Sequence, residues 1–230
     1  YTATFTPSSA GATSIDVGAS VFTDAAGNGN TAASQFNWTF DNSSAELSNV
    51  SISSNNATST LAKASDVVTL AFSANEAINT PTVTFASGGS TIASGRVSVS
   101  NTSGNNWSAS YTTGASDSDG AVTYSIAFSD TGGNAGVPVT SGSGSVTFDN
   151  TRPVSSISSA QVGNGGATNA GSIAVAFGLS DSTTEFNAAD VSVSGGSLSD
   201  FSGSGTSYSA TFTPDGDGTK TIQIVRAAYT

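Results

Sequence analysis

The sequence contains no cysteine, no histidine and no methionine. Those absences exclude an imidazole base, a thiolate nucleophile, a Ser-His-Asp triad and any Cys/His zinc or iron site. No disulfide can form, so stability must come from packing, hydrogen bonds or bound ions. A chain without cysteine suits an exported bacterial protein that does without disulfides as well as it suits a cytosolic one. Cations are scarce: 5 Lys+Arg stand against 16 Asp+Glu, for a formal net charge of -11. Five scattered cations cannot neutralise a phosphate track, so nucleic acid is excluded as a partner. No apolar run reaches the ~18 residues of a membrane-spanning helix. With only 9% charged residues, the chain also lacks the charge density usual in disordered segments.

What is present is Ser, Thr, Gly, Asn and Ala, interrupted by short alternating runs of Val, Ile, Thr and Phe. Period-two alternation bounded by Gly, Asn and Ser is the pattern of half-buried strands. The expected class is all-β with thin cores, and no segment shows the spacing of an amphipathic helix.

The chain also repeats itself. Tyr1-Thr2-Ala3-Thr4-Phe5-Thr6-Pro7 returns as Trp107-Ser108-Ala109-Ser110-Tyr111-Thr112 and as Tyr208-Ser209-Ala210-Thr211-Phe212-Thr213-Pro214. Phe22-Thr23-Asp24-Ala25-Ala26-Gly27-Asn28 returns as Phe128-Ser129-Asp130-Thr131-Gly132-Gly133-Asn134, and its third copy begins at Tyr229-Thr230. Thr39-Phe40-Asp41-Asn42 returns as Thr147-Phe148-Asp149-Asn150. A period of about 100 residues matches one β-sandwich domain. The expected units are residues 1–42, the C-terminal part of one repeat; residues 43–150, a complete repeat; and residues 151–230, a repeat lacking its last strand. Tyr1 opens inside a β pattern with no initiator Met, signal peptide or lipidation motif, so the sequence is expected to be a window from something longer.

Seven strands are predicted in the complete repeat, at residues 50–53, 67–73, 82–85, 95–99, 107–112, 121–128 and 145–148. In the clearest of them Val122, Tyr124, Ile126 and Phe128 share a face. Seven short strands joined by polar turns indicate tandem immunoglobulin-like β-sandwiches arranged end to end.

These motifs resemble the tandem bacterial Ig-like repeats of giant surface adhesins and biofilm-associated proteins. The resemblance rests on the Phe-Thr-Asp-Ala-Ala-Gly-Asn type of motif, the Phe-Asp-Asn exit, the stretch Asn187-Ala188-Ala189-Asp190-Val191-Ser192-Val193-Ser194-Gly195-Gly196, and Tyr208 to Pro214. It covers essentially the whole chain. It implies an extracellular, non-enzymatic structural part: a stalk that projects an adhesive tip, or the body of a filament or matrix. The Asp-Asn-Thr-x-Pro junction stands as Asp149-Asn150-Thr151-Arg152-Pro153, whereas Asp41-Asn42 is followed by Ser43-Ser44-Ala45-Glu46 without proline. That first junction is expected to be less rigid.

Acidic and Asn residues concentrate in loops. In an Ig-like sandwich the start of the first strand lies at the pole of the B-C and F-G loops. Asp41 and Asn42 are therefore expected to face Asn75 and Glu76 and also Asp130 and Asn134, while Asp149 and Asn150 face Asp181 and Glu185. Oxygen-only ligands suit Ca²⁺, which would offset carboxylate repulsion and stiffen a junction. The competing reading is that Asp24/Asn28 and Asp130/Asn134 only close Asx turns around Gly27, Gly132 and Gly133. Asp117-Ser118-Asp119-Gly120 and Asp215-Gly216-Asp217-Gly218 open like acidic Ca²⁺ loops but lack the Glu at loop position 12, so both read as turns. Tyr1, Trp107 and Tyr208 hold one place in the repeat and are expected to share one packing role.

Partners are expected among neighbouring repeats of the same protein. A glycan-binding module using the Trp and Tyr residues, and a filament subunit assembled by strand exchange, are the alternatives.

Overall fold

An alternating apolar strand needs a second layer to bury its face, and different stretches of this chain meet that need differently. The computed structural model describes residues 1–225 and divides into two compact units, 1–150 and 151–230. It is all-β; the short one-turn segments at Ser94–Arg96 and Ala188–Asp190 are 3₁₀. The third copy of the Asp-containing motif, from Tyr229, lies outside the described residues.

In the first unit, β1 (Gly11–Ile15) and β2 (Phe36–Phe40) form an antiparallel hairpin in which Thr13 faces Trp38. Trp38 is half-buried between Phe5, edge-on at 5.3 Å, and Phe36 at 5.5 Å. Tyr1, Phe5, Phe22 and Phe36 are exposed. The expectation that Tyr1 shares the packing role of Trp107 and Tyr208 is therefore corrected: those two are buried and Tyr1 is not. Among the described residues, no second layer covers Tyr1.

The rest of that unit is a two-sheet sandwich. Its strands are β3 (Leu47–Ser54), β4 (Leu61–Ala62), β5 (Val67–Ala74), β6 (Thr82–Ser87), β7 (Ser90–Thr91), β8 (Ser98–Ser103), β9 (Asn106–Thr112), β10 (Gly120–Ala127) and β11 (Thr147–Phe148). One sheet runs β3-β5-β9-β8 and the other β4-β11-β10-β6-β7. These are the A-B-E-D and G-F-C orders of an immunoglobulin sandwich. Alternation sets the core: Val68, Leu70 and Phe72 of β5 and Ala109 and Tyr111 of β9 meet Val83 and Phe85 of β6, Val122 and Ile126 of β10, and Phe148. Each fully buried side chain of this size contributes ~1.5–3 kcal/mol.

Two details differ from the sequence reading. The strand predicted at 95–99 begins only at Ser98, because Ser94–Arg96 turns. That turn aims the Arg96 guanidinium at Asp117, to which it donates twice at 2.6 and 2.7 Å. The short strands β4 and β7 were not predicted, since two residues cannot display a period. β4 pairs parallel to β11.

The second unit has β12 (Ser155–Ser158), β13 (Ile173–Thr183), β14 (Val191–Ser194), β15 (Gly196–Pro214) and β16 (Thr221–Ile224). One sheet is β12-β13-β15 and the other β14-β16. Its core gathers Val175, Phe177, Leu179, Phe186, Tyr208, Ala210 and Phe212. The Asn187-Ala188-Ala189-Asp190 stretch is a capping box: the Asn187 side chain accepts from Ala189 N–H, and the Asp190 carboxylate accepts from Asn187 N–H. That capped turn launches β14.

Candidate metal centre

Three separate chain segments converge at one end of the sandwich in the first unit. β2 ends at Phe40 and delivers Asp41; the loop after β5 delivers Glu76; and the turn after β10 delivers Asp130. One carboxylate oxygen from each of Asp41, Glu76 and Asp130 lies within 4.8 Å of the other two. Asp130 is 1% exposed, and Asp41 and Glu76 are half-buried.

The Asp130 turn is built locally. Asp130 Oδ1 accepts from the backbone N–H of Asn134 at 2.8 Å, and Oδ2 accepts from Asn134 Nδ2 at 2.9 Å. Gly133 adopts φ +94°, which the turn requires and which glycine alone takes without strain. A Cβ on Gly132 would stand 3.2 Å from Asp130 Oδ1 and 3.3 Å from the Cβ of Asp41, so this position must stay small for Asp41 to approach. Asn134 Nδ2 also donates to the Asp41 carbonyl at 3.2 Å, linking the exit of residues 1–42 to the turn. The Asn134 amide, and then the backbone donors of the turn, hold the Asp130 carboxyl below the usual carboxylate range.

Asp24 makes the same turn with Asn28. Its Oδ1 accepts from Asn28 N–H and its Oδ2 from Asn28 Nδ2, both at 2.9 Å, and its carboxyl is likewise held low by the Asn28 amide. The Asx-turn reading therefore describes both copies. The copies differ in surroundings: Asp24 is exposed, whereas Asp130 is covered.

Other expected residues lie elsewhere. Asn42 is exposed. Asn75 turns its side-chain oxygen to the Glu46 N–H at 2.9 Å. Asp149 and Asn150 belong to the first unit, where Asn150 N–H donates to Asp119 Oδ1 at 2.8 Å. Asp181 and Glu185 belong to the second; Asp181 accepts from Ser180 Oγ at 2.6 Å, and Glu185 N–H donates to Thr183 Oγ1 at 3.1 Å. Of the paired acids Asp117/Asp119 and Asp215/Asp217, Asp117 is bound by Arg96, Asp119 by Asn150, and Asp215 by Lys220 at 2.7 Å. Sequence reasoning missed Asn79, whose Nδ2 donates to the Asp130 carbonyl at 2.6 Å and clamps the turn to the loop after β5. An isolated loop Asn has no spacing that would mark it.

Three carboxylates at this separation fit a hard cation. Ligand oxygens on opposite sides of Ca²⁺, each at ~2.4 Å, stand ~4.8 Å apart. Among the described residues no Lys or Arg pairs with Asp41, Glu76 or Asp130, whereas Arg96 pairs with Asp117 and Lys220 with Asp215. Further oxygen donors would come from backbone carbonyls and water.

Residues 149–230 match the family model of a bacterial Ig-like domain. Among curated proteins nothing matches this chain. Among solved structures, the titin domains z1z2, determined in complex with telethonin, are similar at 10% sequence identity, over 82% of this chain and 92% of that one, with a TM-score of 0.33.

Proposed function

We propose that the chain is part of the repeat region of a large extracellular bacterial surface or adhesion protein, in which β-sandwich repeats form a stalk or filament body, and that Ca²⁺ held by Asp41, Glu76 and Asp130 stiffens the junction at residue 42. The observation that carries this reading is the convergence of Asp41, from the exit of one repeat, on the Glu76 loop and the Asp130 turn of the next. Three like charges this close repel one another, and a divalent cation turns that repulsion into a crosslink between repeats. The match of residues 149–230 to a bacterial Ig-like domain supports the repeat reading and an extracellular setting. Hydrated Ser/Thr faces and the net charge of -11 suit a soluble spacer better than an adhesive surface. No catalytic role is proposed; the acids in the repeated turns serve structure.

Thermal melts of the full chain in Ca²⁺ and in EDTA test this. Ca²⁺ is expected to raise the midpoint of the first unit by about 5 °C or more, and Glu76→Gln is expected to remove the difference. Overlaid melts with and without Ca²⁺ would remove the metal from the account.

A further inference from the structure

One pentapeptide, Ala-Thr-Phe-Thr-Pro, occurs at residues 3–7 and again at 210–214. The likeness runs without a gap from Tyr1/Tyr208 through Gly11/Gly218, Ile15/Ile222 and Thr23/Thr230. The two copies have different structures. At 210–214 the segment is the end of β15, and Phe212 is 2% exposed. At 3–7 it forms no strand, and Phe5 is 50% exposed. Intrinsic preference is the same in both, so what differs is the partner.

The buried copies identify that partner. In the second unit Tyr208, Ala210 and Phe212 sit opposite Phe177, Val175 and Ile173 of β13. In the complete repeat Trp107, Ala109 and Tyr111 sit opposite Phe72, Leu70 and Val68 of β5. Both partners are antiparallel, and both read β-branched residue, x, aliphatic, x, Phe, with the Phe set against the leading aromatic. In a strand Tyr1, Ala3 and Phe5 would share one face. Around it lie Phe36 and Trp38 of the hairpin, apolar and partly open.

We infer that residues 1–7 and the adjoining face of β1–β2 are a docking surface for a β-layer of the β12–β13 kind, whose inner strand carries that apolar pattern. The layer adds antiparallel to residues 1–7, satisfies their backbone groups and covers Phe5 and Trp38. This rests on residues 1–42 being the closing part of a repeat, but it is independent of any cation, so its test can fail while the metal proposal stands, and the reverse.

The test fuses a second copy of residues 151–207 directly ahead of Tyr1 of the full chain, which reproduces the natural join at Tyr208. Hydrogen exchange at residues 3–6 is expected to slow by roughly 100-fold or more, and acrylamide quenching of Trp38, read in a Trp107→Phe background, is expected to fall several-fold. Phe→Asp at the position of Phe177 in the added copy alone is expected to abolish both changes. The inference is overturned if fusion leaves residues 3–6 unprotected, or if the aspartate version protects them equally. It is also overturned if the unfused chain gains the same protection as its concentration rises, since the face would then close on a second copy of itself.

Discussion

Residues 1–42 and 107–150 carry the same run of motifs, yet the aromatic strand and the Asp turn are open to solvent in one and buried in the other. Phe5 is half exposed where Tyr111 is 2% exposed. Asp24 closes its turn in water, whereas Asp130 closes the same turn beneath Asp41 and Glu76. The turn is thus a local device that Asp, Gly and Asn build unaided. Burial of the strand and the gathering of carboxylates are tertiary events that need a second segment.

The largest expected break in this comparison lies in the core. Tyr111→Ala should destabilise the first unit by about 3–5 kcal/mol through lost burial and the cavity left behind, while Phe5→Ala should stay within ~0.5–1 kcal/mol. Urea denaturation followed by circular dichroism reads both. Equal effects would show that residues 1–7 are covered in solution.

Alkaline pH should act on Tyr111 from another side. Burial pushes the Tyr111 hydroxyl up to about 12. A raised folded-state pKa means that its stabilising contribution is full below the unfolded value near ~10 and is lost as pH rises from there to about 12, up to about 2–3 kcal/mol in all. Tyr111→Phe should flatten that decline in a stability–pH profile, because it removes the titrating hydroxyl and keeps the ring.

A smaller difference separates the two turns. Asp130→Ala should lower the melting midpoint of the first unit by several degrees more than Asp24→Ala, because it also releases Asn134 from its place beside Asp41. Both carboxyls are held low, so their stabilisation is present above the ordinary carboxylate pKa near ~4 and is lost as pH falls through the folded-state value. At acid pH the two variants should converge with the parent; a gap that persists there would mean the Asp130 effect is not ionic.

The strands that could be read from sequence are those long enough to alternate: Val68, Leu70 and Phe72, and Val122 with Ile126, declare their buried face. β4 and β7 are too short to show a period, and in the sequence Arg96 reads as strand because its ion pair with Asp117 is a long-range fact. At the candidate site the loops at the pole of the first strand point to Asp41, Glu76, Asp130 and Asn134, all of which the fold brings into one cluster. They point equally to Asn42 and Asn75, and composition alone does not tell that Asn75 binds Glu46. The exposure of Tyr1 could not be read at all, since a strand's own residues do not report whether a layer covers it.

The most direct measurement is calorimetric titration of Ca²⁺ into the EDTA-stripped full chain and into its Asp41→Asn variant. A saturable site is expected in the parent, weakened at least ~10-fold by Asp41→Asn, because the proposed site takes Asp41 from across the junction. Absence of heat in the parent, or an unchanged isotherm in the variant, would contradict a cation-held joint between repeats.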